Sequence, residues 1–459
     1  MTTKRFLILP AALAVAFSLY AAEETTPQFR GVVRRIDIAV KRVAPSVVRE
    51  ELVFQEGDEL TAEKMDESRK NLHRLGLLKS LEMDAKWDQA LNGYRVTVAA
   101  DDGWFLLPMP MFGSRGGESF AALMLMERNY FRRAEGIMLF GSRSQGRDSA
   151  MASYSLPHLN ILGGVFRSKV DEYQYADGGY NSKQFEDDLE REDPGDFGTY
   201  TNHYVKETSK EYFMLGGRAS SWLRVSGGLA FSSVTYRDAE VSDPGDAGDM
   251  NAWVLSLDLG KEGRGDPATQ GGFVGAFGRM FGLGMAGVKD SLSPLPKSET
   301  VRSLHLSLEK GETWLGSDAA YAKIMLTAGQ ATLFRDRSML TLSLKDGWGD
   351  DLPPSQQWST GQRGILTGVY AREYRGDSIA AASAVFTQPF FRNAIGTLNT
   401  EVFGDYAACR ADGEQREKEG VGFNLVYRFW RVPLPFGGGA TYSFDDRNWQ
   451  ISFAVGGMF

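Results

Sequence analysis

The chain has four histidines, His73, His158, His203 and His305, and they are scattered, without the close spacing that holds zinc or partners a nucleophile. Ser303 and Ser307 flank His305, but no G-x-S-x-G elbow, P-loop or dinucleotide fingerprint occurs. The acidic run E-D-D-L-E-R-E-D-P-G-D within Asp177–Tyr200 has charge enough for calcium but lacks the alternating ligand spacing of an EF-hand, and it reads as a solvated loop. Neither an enzyme, a metal site nor a cofactor is expected. What remains is recognition: Glu401 and Asp405 fall on one face of a strand, opposite Val402, and like charges so placed raise each other's proton affinity or recruit another cation. A glycine- and arginine-rich stretch precedes them, Gly361-Gln362-Arg363-Gly364-Ile365-Leu366-Thr367-Gly368-Val369-Tyr370, followed by Arg372 and by Arg375-Gly376-Asp377.

From Trp104 onward there is almost no helical period. Segments alternate instead between apolar and polar residues. Trp253, Leu255, Leu257 and Leu259 form one set, Leu340, Leu342 and Leu344 another, and Phe423, Leu425, Tyr427 and Phe429 a third. Such segments number about sixteen, each near the ~9 to 11 residues of a tilted membrane strand. The final stretch, Trp449 to Phe459, places Trp449, Ile451, Phe453, Val455 and Phe459 on one side of the repeat. One face against a soluble core, or one face against lipid, would both give this pattern.

The single cysteine, Cys409, excludes an intramolecular disulfide, and a net charge of −8 leaves no basic footprint for nucleic acid. At the N-terminus, Lys4 and Arg5 precede an apolar run from Phe6 to Tyr20 and then small residues, the order of a secretory signal peptide over residues 1–22. Leu19 or Tyr20 makes the cleavage site imperfect, and the run is shorter than the ~20 residues that span a bilayer. No later run of apolar residues is long enough for a transmembrane helix. The mature chain is therefore a secreted β-protein or an outer-membrane barrel.

Residues 28–102 read differently: strand Val32–Val40, a helix opened by Pro45 and running to about Val53, a turn at Gln55-Glu56-Gly57-Asp58, and a second helix capped by Thr61 and stopped by Gly76. Strands Leu78–Trp87 and Gly93–Ala99, joined through Asn92-Gly93, complete a β-α-α-β-β unit.

This unit resembles a POTRA domain, through R-E-E-L-V-F-Q-E-G-D-E-L-T, N-L-H-R-L-G-L-L-K-S-L-E-M and Y-R-V-T-V. The stretch Gly361 to Asp377 then resembles the sixth extracellular loop of the BamA/TamA superfamily of outer-membrane assembly and translocation barrels, with Leu366, Gly368, Gly376 and Asp377 at matching positions. Arg128-Asn129-Tyr130-Phe131, Arg264-Gly265-Asp266-Pro267 and Phe403-Gly404-Asp405 are similar to other segments of that family. The resemblance implies one POTRA-like periplasmic domain (28–102) ahead of a transmembrane antiparallel barrel of about sixteen strands (103–459) in the bacterial outer membrane.

It also implies a loop arginine latched to a lumenal carboxylate, but Thr367 stands at that arginine's position and Val369 at the tip aromatic. Arg363, Arg372 and Arg375 are the candidate substitutes, with Glu401 and Asp405 as acceptors; Val385, Phe386 and Thr387 replace the family's Glu-x-Arg. Gly456 and Gly457 are expected to loosen the seam between first and last strands, and Phe459 to serve as the targeting residue. The implied partners are outer-membrane lipid and unfolded client polypeptides, with room for periplasmic accessory proteins. The function expected is assembly or translocation of polypeptides at the seam; the alternative is a passive channel or structural barrel that has lost it.

Overall fold

The structure, a computed structural model, describes residues 31–74, 78–102, 106–115, 118–127, 129–132, 135–144, 147–155, 159–175, 179–182, 200–220, 222–239, 247–260, 299–361, 365–368, 373–393, 395–411, 413–429 and 435–456. The expected signal peptide (1–22), the helix stop at Gly76, the acidic run and the Arg264 to Pro267 segment lie outside them. The chain divides between Gly103 and Trp104 into two compact units.

In the first unit, β3 (Gly93–Asp102) runs between β1 (Val33–Ala39) and β2 (Leu78–Asp88), parallel to the former and antiparallel to the latter. Pro45 opens a short helix, Pro45–Glu50. It ends before the expected Val53, whose N–H is taken instead by the Ser68 hydroxyl of the next helix, at 3.0 Å. That second helix, Ala62–Arg74, is capped as expected: Thr61 Oγ1 accepts the Lys64 N–H at 3.2 Å. Val33, Val48, Leu60, Leu72, Val96 and Val98 are wholly buried between helices and sheet. Each such side chain contributes about 1.5–3 kcal/mol on burial, so a small unit without disulfides is held together by its apolar core.

The second unit is a closed antiparallel barrel of sixteen strands. Its first half consists of β4 (Leu106–Arg115), β5 (Glu118–Glu127), β6 (Gly136–Ser144), β7 (Arg147–Ser155), β8 (Leu159–Tyr175), β10 (Tyr200–Arg218), β11 (Leu223–Arg237) and β13 (Ala252–Leu259). The second half consists of β14 (Glu299–Gly311), β15 (Tyr321–Leu333), β16 (Met339–Asp350), β19 (Ser378–Arg392), β20 (Gly396–Ala411), β21 (Glu414–Phe429), β22 (Phe436–Ser443) and β23 (Asn448–Val455). Short strands β9 (Gly179–Ser182), β12 (Gly248–Asp249), β17 (Trp358–Ser359) and β18 (Glu373–Gly376) lie in the connections. No helix among the described residues is long and apolar enough to cross a membrane.

Alternation decides which face meets what. Leu123, Leu139, Val165, Phe213, Phe231, Val402, Phe423, Leu425, Ile451 and Phe453 point outward and are exposed, while Asn399, Asp405, Asn424 and Thr441 point inward and are buried. An apolar outside on a closed sheet, with polar side chains within, is the arrangement that lipid requires. The alternative of a secreted β-protein fails on this: its greasy faces would turn inward.

Candidate functional site

The segment from Leu352 to Asp377 leaves the wall between β16 and β19 and folds back on itself. Trp358 and Ser359 pair with Gly376 and Arg375, and Thr360 exchanges hydrogen bonds with Tyr374. Its tip residues Ile365 and Leu366 are buried in an apolar cluster with Trp358, Met325, Ile379 and Ala407. Burial of an aliphatic tip against the wall explains why the segment is seated, but the polar contacts decide where.

Those contacts come from three neighbouring strands. Lys345, on β16, donates through Nζ to the Ile365 carbonyl at 2.9 Å. Thr367 Oγ1 meets the Ser383 hydroxyl of β19 at 2.5 Å, and Ser383 donates to Asp405 Oδ1 at 2.6 Å. The Gly368 N–H donates to Asp405 Oδ2, also at 2.6 Å. Ser383 and Asp405 are register partners on β19 and β20. Asp405 thus receives the loop tip, as the resemblance implies, but through a backbone N–H and a hydroxyl relay in place of a guanidinium. The cation sits on the wall, at Lys345, and holds a loop carbonyl, reversing the polarity of the expected latch.

The expectation that Arg375 supplies the missing cation to Asp405 or Glu401 is corrected here. Arg375 forms a two-pronged ion pair with Glu172 on β8, at 2.8 and 2.9 Å, and its guanidinium lies 4.2 Å from the centroid of Tyr180. Tyr204 donates a further hydrogen bond to Glu172 at 3.1 Å. Beside this pair, β18 adds to β9 through Glu373 with Tyr180 and Tyr374 with Gly179. Since β8 lies on the opposite arc of the sheet from β16 and β19, the segment is a strap across the lumen. Glu401 does not pair with Asp405 over a shared cation either: it accepts from Arg428 at 3.0 Å. The two carboxylates are on one face, four residues apart, and each has its own donors.

Gly376 is required by a close approach, because a Cβ there would stand 2.2 Å from the Arg410 carbonyl oxygen. Asp377 extends the same contact by donating its N–H to that carbonyl at 2.8 Å. A Cβ on Gly361 would meet the Glu373 carboxyl, the far end of a side chain that could shift. Arg363, Gly364 and Arg372 lie outside the described residues, as do Gly457 and Phe459.

The seam between first and last strands is the other distinctive place. Among the described residues, β23 pairs with β4 over Ser452–Val455 against Phe112–Arg115, four residues, whereas β22 and β23 pair over eight and β4 and β5 over ten. Gly456 turns away with φ +91°, giving its N–H to the Pro435 carbonyl at 2.7 Å. A Cβ on it would lie 2.8 Å from the Pro110 carbonyl and closer still to Met111. The Pro110 carbonyl therefore faces β23, and the nitrogens of Pro110 and of Pro108, two residues back, face the same way. Neither has a hydrogen to donate.

Sequence reasoning missed Lys345, Ser383, Glu172 and the two prolines. Lys345 stood on the polar side of a recognised alternation, and P-M-P in the first barrel strand was a readable sign of an unpaired edge. Nothing in the sequence linked Glu172 to Arg375.

No family model and no curated protein matches the chain. Among solved structures, CdiB from Escherichia coli aligns with a TM-score of 0.61 at 12% identity, covering 93% of this chain and 76% of that one. The chain has the CdiB fold. CdiB from Acinetobacter baumannii agrees, with a TM-score of 0.60 at 13% identity over 93% of this chain and 74% of that one. A BamA from Haemophilus ducreyi lacking POTRA domains 1–3 aligns at 14% identity with a TM-score of 0.49, over 92% of this chain and 84% of that one. In fold, then, the chain is a CdiB-like barrel of sixteen strands.

Proposed function

We propose that this protein sits in the bacterial outer membrane and moves extended polypeptides into or across it, its first unit acting as a POTRA-like periplasmic receiver. The observation that carries the reading is the seam. A ladder continued in the register of β23 with β4 would bring residues 457 and 459 opposite Pro110 and Pro108, which have no N–H to offer. A passive barrel gains nothing from a weakened closure; a barrel that opens sideways needs one.

The remaining parts have roles consistent with this. Among the described residues β2 pairs with β3 alone, so its other edge can accept a client as an added strand. The strap from β16–β19 to β8 crosses the lumen, so a polypeptide passing through the lumen would require its release. Asp405 with Ser383 and Lys345, and Glu172 with Arg375, are the two anchors on which that release depends.

Cysteines placed at Ser114 and Phe453, which are register partners, with Cys409 replaced by Ser, would lock the seam through a disulfide. Expression of the locked protein in a host depleted of the native one should fail to restore outer-membrane and surface polypeptide levels until a reductant is added. Full restoration without reductant refutes a lateral opening. Steady ion conductance in planar bilayers, equal in locked and unlocked forms and large enough for an open pore, would favour the passive-channel alternative.

A further inference from the structure

The outer surface of the barrel carries a row of cations at one rim of its wall. The wall has a step. β7 ends at its pairing of Arg147 with Ser168, while β8 runs on to Tyr175 and is backed by β10 and β11 up to Arg237. At the step lies a hollow of about 840 Å³. Four cations line it, Arg143, Arg147, Arg167 and Lys169, against two carboxylates, Asp148 and Glu207. Most of the remaining lining is serine and threonine.

The outward direction of three of these cations follows from the two-residue repeat. Arg143 is four residues beyond Leu139 on β6, and Arg167 and Lys169 are two and four beyond Val165 on β8; both apolar residues are on the exposed, lipid-facing side. Arg143, Asp148 and Arg167 are consecutive register neighbours, so their side chains form one row just past the apolar band. Arg143 is 84% exposed and only 3.6 Å from Asp148 through Nε, a weak surface pair. Lys169 shares Glu207 with Arg237, each at 3.1 Å, so one carboxylate serves two cations. Arg167 has no ion-pair or hydrogen-bond partner among the described residues. Glu211, one row nearer the band, is the only acid below them in register with β8.

We infer that this hollow binds the phosphorylated headgroup of a membrane glycolipid, with Arg143, Arg167 and Lys169 on the phosphates and the hydroxyls on the sugar. Guanidinium groups match phosphate oxygens in pairs, and a site whose lower border is apolar strand fits a ligand whose head is anionic and whose tails are hydrocarbon. A free phosphate would need no such border, and a soluble partner would not meet a surface flanked by lipid. The inference rests on the membrane placement proposed above but not on the lateral opening, so a seam-locked protein should bind as the wild type does.

The test uses the full chain refolded in detergent with lipid A, or with the same lipid after removal of its phosphates, and counts lipid retained per protein by native mass spectrometry. Wild type should retain lipid A and not the dephosphorylated form. Arg167→Gln with Lys169→Gln should weaken retention about 25-fold, from two charges near a lipid surface, while Arg167→Lys keeps most of it. Lys70→Gln with Lys86→Gln, the same charge change on the first unit, should leave retention unchanged. Heat-modifiable migration confirms that each variant has folded. Equal retention of both lipids, equal retention by R167Q/K169Q and wild type, an equal loss in K70Q/K86Q, or complete displacement by inorganic phosphate alone would each overturn the inference.

Discussion

Two regions of the same sheet, a few strands apart, are built to opposite specifications. Between β19, β20 and β21 the ladder is long: β20 pairs with β21 from Gly396 to Ala411 without a break, and with β19 over nearly the same length. Between β23 and β4 it spans four residues among those described, and the next seam-facing positions of β4 are prolines without donors. The long region also carries the polar side chains that seat the lumenal strap, including Asp405 and Ser383. Each backbone hydrogen bond contributes about 0.5–1.5 kcal/mol net, so the difference in ladder length alone separates the two closures by several kcal/mol. A barrel so made has one long-paired arc that holds its loop and one short-paired line, where the proposed opening would occur.

The largest effect is expected at the far end of the strap. Arg375→Met would leave Glu172 buried with the Tyr204 hydroxyl as its direct partner, and removal of one member of a buried pair costs about 3 kcal/mol or more. Cleavage of the 357–377 segment by an added protease should rise about 100-fold if the segment must detach to be cut. An unchanged rate would show that the apolar tip, with Ile365 and Leu366, holds the strap by itself.

Asp405→Ala should follow, at about 2–3 kcal/mol, because it strips acceptors from the Gly368 N–H and from Ser383 inside the wall. Asp405→Asn, which keeps one acceptor oxygen, should cost less. The two anchors lie on opposite arcs, so the combined Arg375→Met and Asp405→Ala changes should add in protease sensitivity. A combined effect no larger than either alone would mean that cleavage needs only one anchor released, and the contrast between a fixed arc and its cross-lumen tie would have to be redrawn.

On the other side of the comparison, Pro108→Ala and Pro110→Ala would return two donors to the seam-facing edge of β4. About 1 kcal/mol of added pairing for each is expected. It should show as slower amide hydrogen exchange at Ala454 to Gly456 and as reduced activity in the host-depletion assay. Lost activity with unchanged exchange would separate the prolines from the seam.

The alternation of Phe423, Leu425 and Trp449, Ile451, Phe453 was sufficient to orient the strands, because a strand's two faces are separated by sequence parity alone. The first unit was readable for the same kind of reason, with Pro45, Thr61 and Asn92 acting locally. The site was legible only in part. Asp405, Thr367 and Gly368 were recognisable as members of one loop and one strand, but their pairing required the distance between β19 and the returning tip. Arg375 and Glu172 are 203 residues apart, and no local pattern records a contact made by a segment crossing a lumen. The latch that the resemblance implies assigned the arginine to the acidic pair Glu401 and Asp405. The fold gives Glu401 to Arg428, on the adjacent strand, and so frees Arg375 for the opposite wall.

The smallest effect is the most discriminating for how the latch is built. Thr367→Val keeps the volume and removes only the hydroxyl that meets Ser383, at an expected cost of about 1 kcal/mol. Thr367→Arg, in contrast, restores the residue type that the family resemblance implies at this position. If the pocket is organised around a wall cation, an added guanidinium meets Lys345 beside Asp405, and the strap should become more protease-sensitive than in Thr367→Val. Replacing Lys345 by Met in the same chain should then reverse the loss, since Asp405 would be left to the arginine. Failure of that reversal would mean that polarity was not the thing exchanged between loop and wall, and that Thr367 marks a latch held chiefly by the burial of Leu366.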